Sequence, residues 1–464
     1  MKVKFRKGII LYLLLLAFTL PLSAQQKPNI ILILADDLGY GQLGCYGQQM
    51  VQTPNIDSLA AGGMRFTDYY AGSSVCAPSR ECLLTGYHTG HTAIRGNFRL
   101  DVDVGNLPMA KDHPTIAEYL NRAGYGTAMF GKWGVGSPET GPNTRGFDYS
   151  FCYIDQAKAH NYYPPFLWEN DKKVVLSKNQ KGKHGIYSHH LFANKTLEYI
   201  RNHKSNQPFF LYLAYTLPHG NYSLPPDTPY TKKDWSEHFQ VYATMVSLLD
   251  KDVGHIVQLL RQKGIADNTV IFFTSDNGAN VGPAKFFKAN GGFRGAKRDL
   301  YEGGIREPLI AYWPDVIKPG QVSHHVAAAW DFLPTICEIA GVKASSKIDG
   351  ISFLPTLVGK KQREHKLLYW EYYQYNYNWE KPGNKLPRNY LTNRAVRYGK
   401  WKAVQNHIYR NKNSKIELYN LYSDPSEKQN IANEHPKIIK KIRKLFKKES
   451  LPDPPYFPYT GKNK

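Results

Sequence analysis

Acidic residues, cysteines and long apolar runs are all scarce in this 464-residue chain, and each scarcity narrows what it can be. Five cysteines are too few to staple a small fold that lacks its own core. Their odd number, in a compartment that permits disulfides, hints that one has a task other than pairing. Asp and Glu total 38 against 60 Lys and Arg, a formal charge of +22 at pH 7. A surface of that sign favours anionic partners, whether nucleic acid, acidic glycan or anionic lipid, and composition alone does not choose among them. Beyond the N-terminus no stretch is long and apolar enough to span a bilayer, which takes about 20 residues. Hydrophobic residues are not scarce: at 42%, with 21% charged, the chain can bury a real core, which excludes a disordered or collagen-like protein. The length allows two to four domains, or one large α/β domain with a smaller companion.

The N-terminus begins Met1-Lys-Val-Lys-Phe-Arg-Lys7, continues with an uncharged apolar run from Gly8 to Leu20, and then reads Pro21-Leu22-Ser23-Ala24-Gln25. A basic segment, a short apolar segment and a small residue before the presumed cut make residues 1–24 a secretory signal cleaved after Ala24. An uncleaved anchor is the alternative, but the run is short for a span. No cysteine follows it, so a lipoprotein is not indicated. The mature protein is expected to be secreted or periplasmic, with no stable membrane span. Loss of Lys2, Lys4, Arg6 and Lys7 would leave it at +18.

Asn29 to Ala35 is a continuous apolar run, the pattern of a strand buried on both faces of a parallel sheet, and it ends in Asp36-Asp37. Thr115-Ile-Ala-Glu118 has capping-box spacing and opens a helical pattern to about Ala123, followed by strand-like Gly126 to Phe130. Pro208 to Tyr215 and Thr269 to Ser275 are further buried-type strands, and Phe239 to Gln262 is helical, with Val246, Leu249, Val253, Val257 and Leu260 on one face. This alternation predicts an α/β fold with a large, mainly parallel sheet sandwiched by helices, whose ligands bind at the carboxyl ends of strands. After about residue 360 the texture changes to short strands, Leu391 to Gln405 and Ile416 to Leu421, and an amphipathic basic segment carrying Ile438, Ile439, Ile442, Leu445 and Phe446. A smaller antiparallel sheet with one helix is expected there, giving a catalytic domain over 25–360 and a subdomain over 361–464. Tyr369 to Trp379 is the one biased segment, rich in aromatics.

Two strands end in oxygen-ligand pairs, Asp36-Asp37 and Asp276-Asn277. Carboxylate and amide oxygens suit hard divalent cations, and adjacent acids at a strand end repel each other without one. Asp-Asp before Leu-Gly alone is as readily a turn or cap, so the pairing of the two sites carries the argument. No histidine or cysteine has zinc spacing.

The decisive stretch is Cys76-Ala77-Pro78-Ser79-Arg80, with Leu84-Thr85-Gly86 close behind. Here the chain resembles the formylglycine-dependent sulfatases of the alkaline phosphatase superfamily, whose signature is Cys-x-Pro-x-Arg continued by Leu-x-Thr-Gly. Phe130-Gly-Lys-Trp133, Pro218-His219, Ser275-Asp-Asn-Gly278, Lys297, Glu302-Gly-Gly-Ile-Arg306 and Ile348 to Pro355 follow in the family's order. Ala395 to Lys402, Glu417 to Leu421 and Asp424-Pro425 are similar to its small second domain. The resemblance implies that Cys76 is oxidised by a formylglycine-generating enzyme and that the hydrate supplies the nucleophile. It implies one Ca²⁺ on Asp36, Asp37, residue 76, Asp276 and Asn277, with Arg80 orienting the hydrate. Lys132, His219 and Lys297 fall at sulfate-contacting and proton-transfer positions, with His219 and Lys297 jointly assigned to leaving-group protonation.

One departure stands out: many members read Gly-Lys-Trp-His-x-Gly, whereas this chain has Gly134 where the histidine would be. Its role must pass to another group, such as His160 or water, or turnover is slow. Substrate-subsite candidates on divergent loops are His88, His91, Arg95 and Asn97, then Asp155, His160 and Asn161, and the tyrosine-rich loop at 369–379. The expected partner is a sulfated carbohydrate, with the loop pattern leaning by resemblance to galactose-type (Gal or GalNAc) sulfate esters, and not nucleic acid. Two readings stay open beside it: a phosphonate or phosphate-ester hydrolase, and a nonenzymatic polyanion-binding protein.

Overall fold

A computed structural model describes residues 27–101, 105–204, 206–225, 234–374, 391–408, 411 and 413–451. Residues 1–24, read from the sequence as an export signal, and the part of the tyrosine-rich loop beyond residue 374 lie outside the described residues.

The large sheet is built from β1 (Asn29–Ala35), β2 (Met64–Tyr70), β3 (Gly126–Lys132), β4 (Tyr149–Tyr153), β5 (Phe166–Glu169), β6 (Lys172–Val175), β7 (Phe209–Ala214), β8 (Thr269–Ser275), β9 (Arg306–Tyr312), β10 (Gln321–Ser323) and β11 (Ala327–Ala328). Its order is β10-β2-β9-β8-β1-β7-β3-β4-β5-β6, with β11 also pairing β2. The five central strands β8-β1-β7-β3-β4 are parallel, while β9 joins β8 and β2 antiparallel and β5 and β6 close the other edge antiparallel.

Every residue of β1 is buried because both faces are covered. Ile31, Ile33 and Ala35 enter one core cluster, and Ile30, Leu32 and Leu34 enter the other. Helix Glu237–Gln262 seals the first face through Val246, Leu249, Val253 and Leu260. Helices Ile116–Arg122 and Phe332–Ile339 seal the second. The capping box read at Thr115 and Glu118 is present: Thr115 Oγ1 accepts from Glu118 N–H and Glu118 Oε2 from Thr115 N–H.

The C-terminal region forms a four-stranded antiparallel sheet of Leu368–Tyr373, Leu391–Tyr398, Trp401–Gln405 and Ile416–Asn420 in chain order. Helix Pro436–Glu449 covers one face through Ile442 and Phe446. The other face, with Trp370, Tyr372, Ala395, Val404 and Tyr419, packs on Tyr70, Val75, Leu300, Tyr301 and Ile305. The small sheet therefore props up the two loops that lead to Cys76 and away from Lys297.

Candidate active site

Residues at the carboxyl ends of β1, β3 and β8 meet the start of helix Cys76–Thr85. Cys76 is the first helical residue, and Pro78 lies in the first turn, where its missing N–H costs nothing. Arg80, one turn on, shares the face of Cys76. Its Nε and Nη2 both donate to Asp276 Oδ2, at 3.0 and 2.7 Å, and its Nη1 donates to Lys132 O at 3.0 Å.

Asp36, Asp37, Cys76 and His219 each place a ligand atom within 4.8 Å of the others, and all four are buried. Cys76 Sγ is 3.3 Å from Asp36 Oδ1. Asp276 Oδ1 accepts from Asp37 N–H at 3.2 Å, and Asn277 Nδ2 donates to Asp37 Oδ1 at 2.7 Å. Asn277 Oδ1 is buried with no hydrogen-bond partner. Three carboxylates beside an orphaned amide oxygen are a donor set for a hard oxygen-seeking cation.

Cations line the opposite side. Lys132 Nζ donates to Asp36 Oδ2 at 2.6 Å, and Lys297 Nζ to Asp37 Oδ2 at 2.6 Å. Lys297 Nζ is also 2.9 Å from His219 Nε2 and 3.7 Å from Cys76 Sγ. Burial works against Asp36, but Lys132 and Arg80 hold its carboxyl well below the usual range. Burial and then Lys297 push His219 down to about 4, and burial and then Asp36 push the Cys76 thiol up to about 12. The thiol is therefore neutral and poorly nucleophilic as it stands.

The structure brings together Asp36, Asp37, Cys76, Arg80, Lys132, His219, Asp276, Asn277 and Lys297. His160 reaches the site's edge, its ring stacked on His219 at 4.0 Å. Asn97 accepts from Ala77 N–H at 3.0 Å and thereby braces the motif helix. The Asn161 side chain accepts from Tyr163 N–H at 2.9 Å, an engagement within its own loop. His88, His91 and Arg95 are committed elsewhere: His91 to Asp349 at 2.9 Å, Arg95 to Glu371 at 2.6 Å, and His88 beside Asp349 and Glu449. His88 Nδ1 accepts from Gly90 N–H, which leaves the proton on Nε2 facing those carboxylates. Asn280, not singled out from sequence, donates to Asp37 Oδ2 at 2.8 Å. All five cysteines are free thiols, so the argument from their odd number does not hold; motif position alone marks Cys76.

A family model of sulfatases matches residues 28–342, and one of the N-sulphoglucosamine sulphohydrolase C-terminal region matches 292–451. Human N-acetylgalactosamine-6-sulfatase is 33% identical over 373 residues, spanning 75% of this chain and 69% of that protein. Human arylsulfatase A is 31% identical, spanning 93% of this chain and 89% of that protein. The crystal structure of Ps i-CgsB in complex with k-i-k-neocarrahexaose superposes with a TM-score of 0.78 at 28% identity, covering 94% of this chain and 96% of that one. The expected fold stands, with its large mostly parallel sheet and small antiparallel one. With acids, thiol, lysines and motif arginine converging on one buried point, the matches leave one assignment: the chain belongs to the sulfatase family, the formylglycine sulfatases of the alkaline phosphatase superfamily, and is a sulfuric ester hydrolase.

Proposed function

We propose that this enzyme removes O-sulfate from a galactose-type (Gal or GalNAc) unit of a sulfated glycan. The observation that carries the reading is the convergence of Asp36, Asp37, Asp276 and Asn277 oxygens beside Cys76, faced by Lys132 and Lys297. The sugar class is supported by the N-acetylgalactosamine-6-sulfatase relatives and by the neocarrahexaose complex of Ps i-CgsB. Asp36, Asp37, Asp276 and Asn277 would hold one Ca²⁺ beside residue 76. That ion, with a formylglycine made from Cys76 by a maturation enzyme, supplies an activated oxygen nucleophile and neutralises sulfate charge.

The other residues follow from their contacts. Arg80 ties Asp276 to the end of β3 and fixes the motif helix against the metal ligands. Lys132 presents a compact ammonium that suits a tetrahedral anion. His219 Nδ1 faces Gly220 O at 3.1 Å, so its Nε2 accepts from Lys297 and the shared proton rests on the lysine. Lys297 then protonates the departing sugar oxygen while neutral His219 steadies it. We further assign residues 1–24 to a cleaved export signal, the catalytic domain to 25–360 and the subdomain to 361–464, with the mature enzyme secreted or periplasmic. Among the described residues no helix is long and apolar enough to cross a membrane.

The test is free sulfate released from a panel of defined sulfated saccharides by protein coexpressed with a formylglycine-generating enzyme, with Cys76→Ala as control. Release confined to galactose-type esters and lost in the control is expected. Conversion of Cys76 without sulfate release, or faster cleavage of phosphate or phosphonate esters, would refute it.

A further inference from the structure

Strand register brings Gly134 and Gln156 together. In the parallel β3–β4 pair Lys132 lies opposite Tyr153, and the pairing runs on: Trp133 N–H donates to Tyr153 O at 2.8 Å and Gly134 N–H to Ile154 O at 3.1 Å. Gly134 has a φ of +71°, and a Cβ built there would lie 2.8 Å from Gln156 Oε1 and 3.7 Å from Lys132 Cε. The Gln156 carboxamide thus occupies the space that a side chain at 134 would fill, beside the stem of Lys132. Gln156 is 1% exposed, yet neither its Oε1 nor its Nε2 has a hydrogen-bond partner. A buried amide left unpaired forfeits its hydration with nothing in return, so such a pair of orphan atoms marks a place for a ligand. A second orphan stands on the same segment: His160 Nε2 is buried and unpartnered, on the ring stacked against His219.

We propose that Gln156, whose carboxamide sits in the place left free by Gly134, binds the anionic head of the sulfate ester, its Nε2–H donating to a sulfate oxygen. The inference rests on the sulfatase reading above and deepens it. Because a carboxamide does not titrate, this contact has the same strength at every pH at which the fold survives. His160 is thereby freed from replacing the absent histidine and remains the stacking partner of His219.

Binding to the unreactive Cys76→Ala protein is the first measurement, by calorimetry with inorganic sulfate and with a sulfated galactoside, because it needs no turnover. Adding Gln156→Met, which keeps the volume and removes both polar atoms, is expected to weaken binding about 10- to 100-fold, the worth of a hydrogen bond to a charged group. In the matured enzyme the same change should lower kcat/KM about 100-fold, as loss of one anion-binding donor does, and Gln156→Glu should lower it further. Gly134→His alone should lower kcat/KM, because the new side chain strains a backbone at φ +71° and pushes the Gln156 carboxamide out of its place. Combined with Gln156→Ala it should recover at least roughly tenfold and add a pH limb in kcat/KM that the parent lacks. Sulfate binding unchanged within about twofold in Gln156→Met, with an intact near-UV spectrum, overturns the proposal, as does absence of any sulfate binding by Cys76→Ala. Should Gln156→Met lose its fold, the isosteric Gln156→Glu decides by the same comparison. If matured wild-type enzyme releases no sulfate while binding still depends on Gln156, the hydrolase reading falls and the anion contact stands.

Discussion

Asp37 concentrates the chemistry of the site into one residue. Its backbone sits in the left-handed region at φ +63°, an uncommon state for a non-glycine residue that costs about 1 kcal/mol and persists only where its surroundings enforce it. Here they do: its N–H is held by Asp276, and its carboxylate accepts from Asn277, Asn280 and Lys297. Burial opposes its charge, but Lys297, by its charge and its hydrogen bond, keeps the carboxyl below the usual value. Three buried acids within one site gain from a cation in the folded state only, so calcium is expected to stabilise the fold by mass action. Adding Ca²⁺ to chelator-treated protein should raise the unfolding temperature in a concentration-dependent way, worth about 2.7 kcal/mol at a hundredfold excess over Kd. Asp37→Asn should shrink that rise, and scanning calorimetry across a calcium series checks both. Site membership at this scale was legible for the motif residues, because strand ends and helix starts are where a parallel sheet gathers its ligands. Asn280 was missed because it lies in a loop whose return toward Asp37 has no periodic signal.

Helix Cys76–Thr85 shows what an element adds to its residues. Its one-turn spacing aims Cys76 and Arg80 at the acids, while Glu81, on another face, accepts backbone N–H groups from Ala93, Ile94 and Ala110 at 3.3, 2.6 and 3.4 Å. Burial pushes Glu81 up to about 7, with those N–H groups pulling the other way. The folded state therefore keeps a proton that the unfolded chain gives up near 4.5. Stability from this group is fully present below that value and falls as pH rises toward about 7, at up to about 1.4 kcal/mol per pH unit. Glu81→Gln, neutral throughout, should flatten the trend, so that its unfolding free energy relative to wild type improves from pH 5 to pH 8 in urea titrations.

For the whole molecule, the junction between the two sheets decides where Lys297 stands. Lys402, on the small sheet, donates to Glu302 Oε1 at 2.8 Å, both fully buried, and Glu427 Oε2 accepts Glu302 N–H at 2.7 Å. Burial works against Glu302, yet Lys402, Arg306 and Arg397 hold it ionised, down at about 2. The Gly303 and Gly304 turn beside it packs on the carbonyls of Gly295, Ala296 and Asp299, and so seats the loop that carries Lys297. Lys402→Ala strips the buried carboxylate of its partner and should cost about 3–5 kcal/mol, read from denaturant unfolding of the variant against wild type. Lys402 lay inside a stretch matched to the family's second domain, but its partner 100 residues away could not be read from spacing.

The unbroken apolar runs, the capping box, the metal-type pairs at two strand ends and the Cys76 to Arg80 motif were determined by the sequence itself. Each is a local pattern, set by side-chain period or by chemistry within a few residues, and the match to sulfatases extended them over the chain. Only the tertiary structure decided that His88, His91 and Arg95 are taken up by Asp349, Glu449 and Glu371, that no cysteines pair, and that Gln156 fills the space above Gly134. Those outcomes depend on which residues a crossover connection and a strand register bring face to face. Contacts of that kind are made between segments far apart in the chain, and no local periodicity records them.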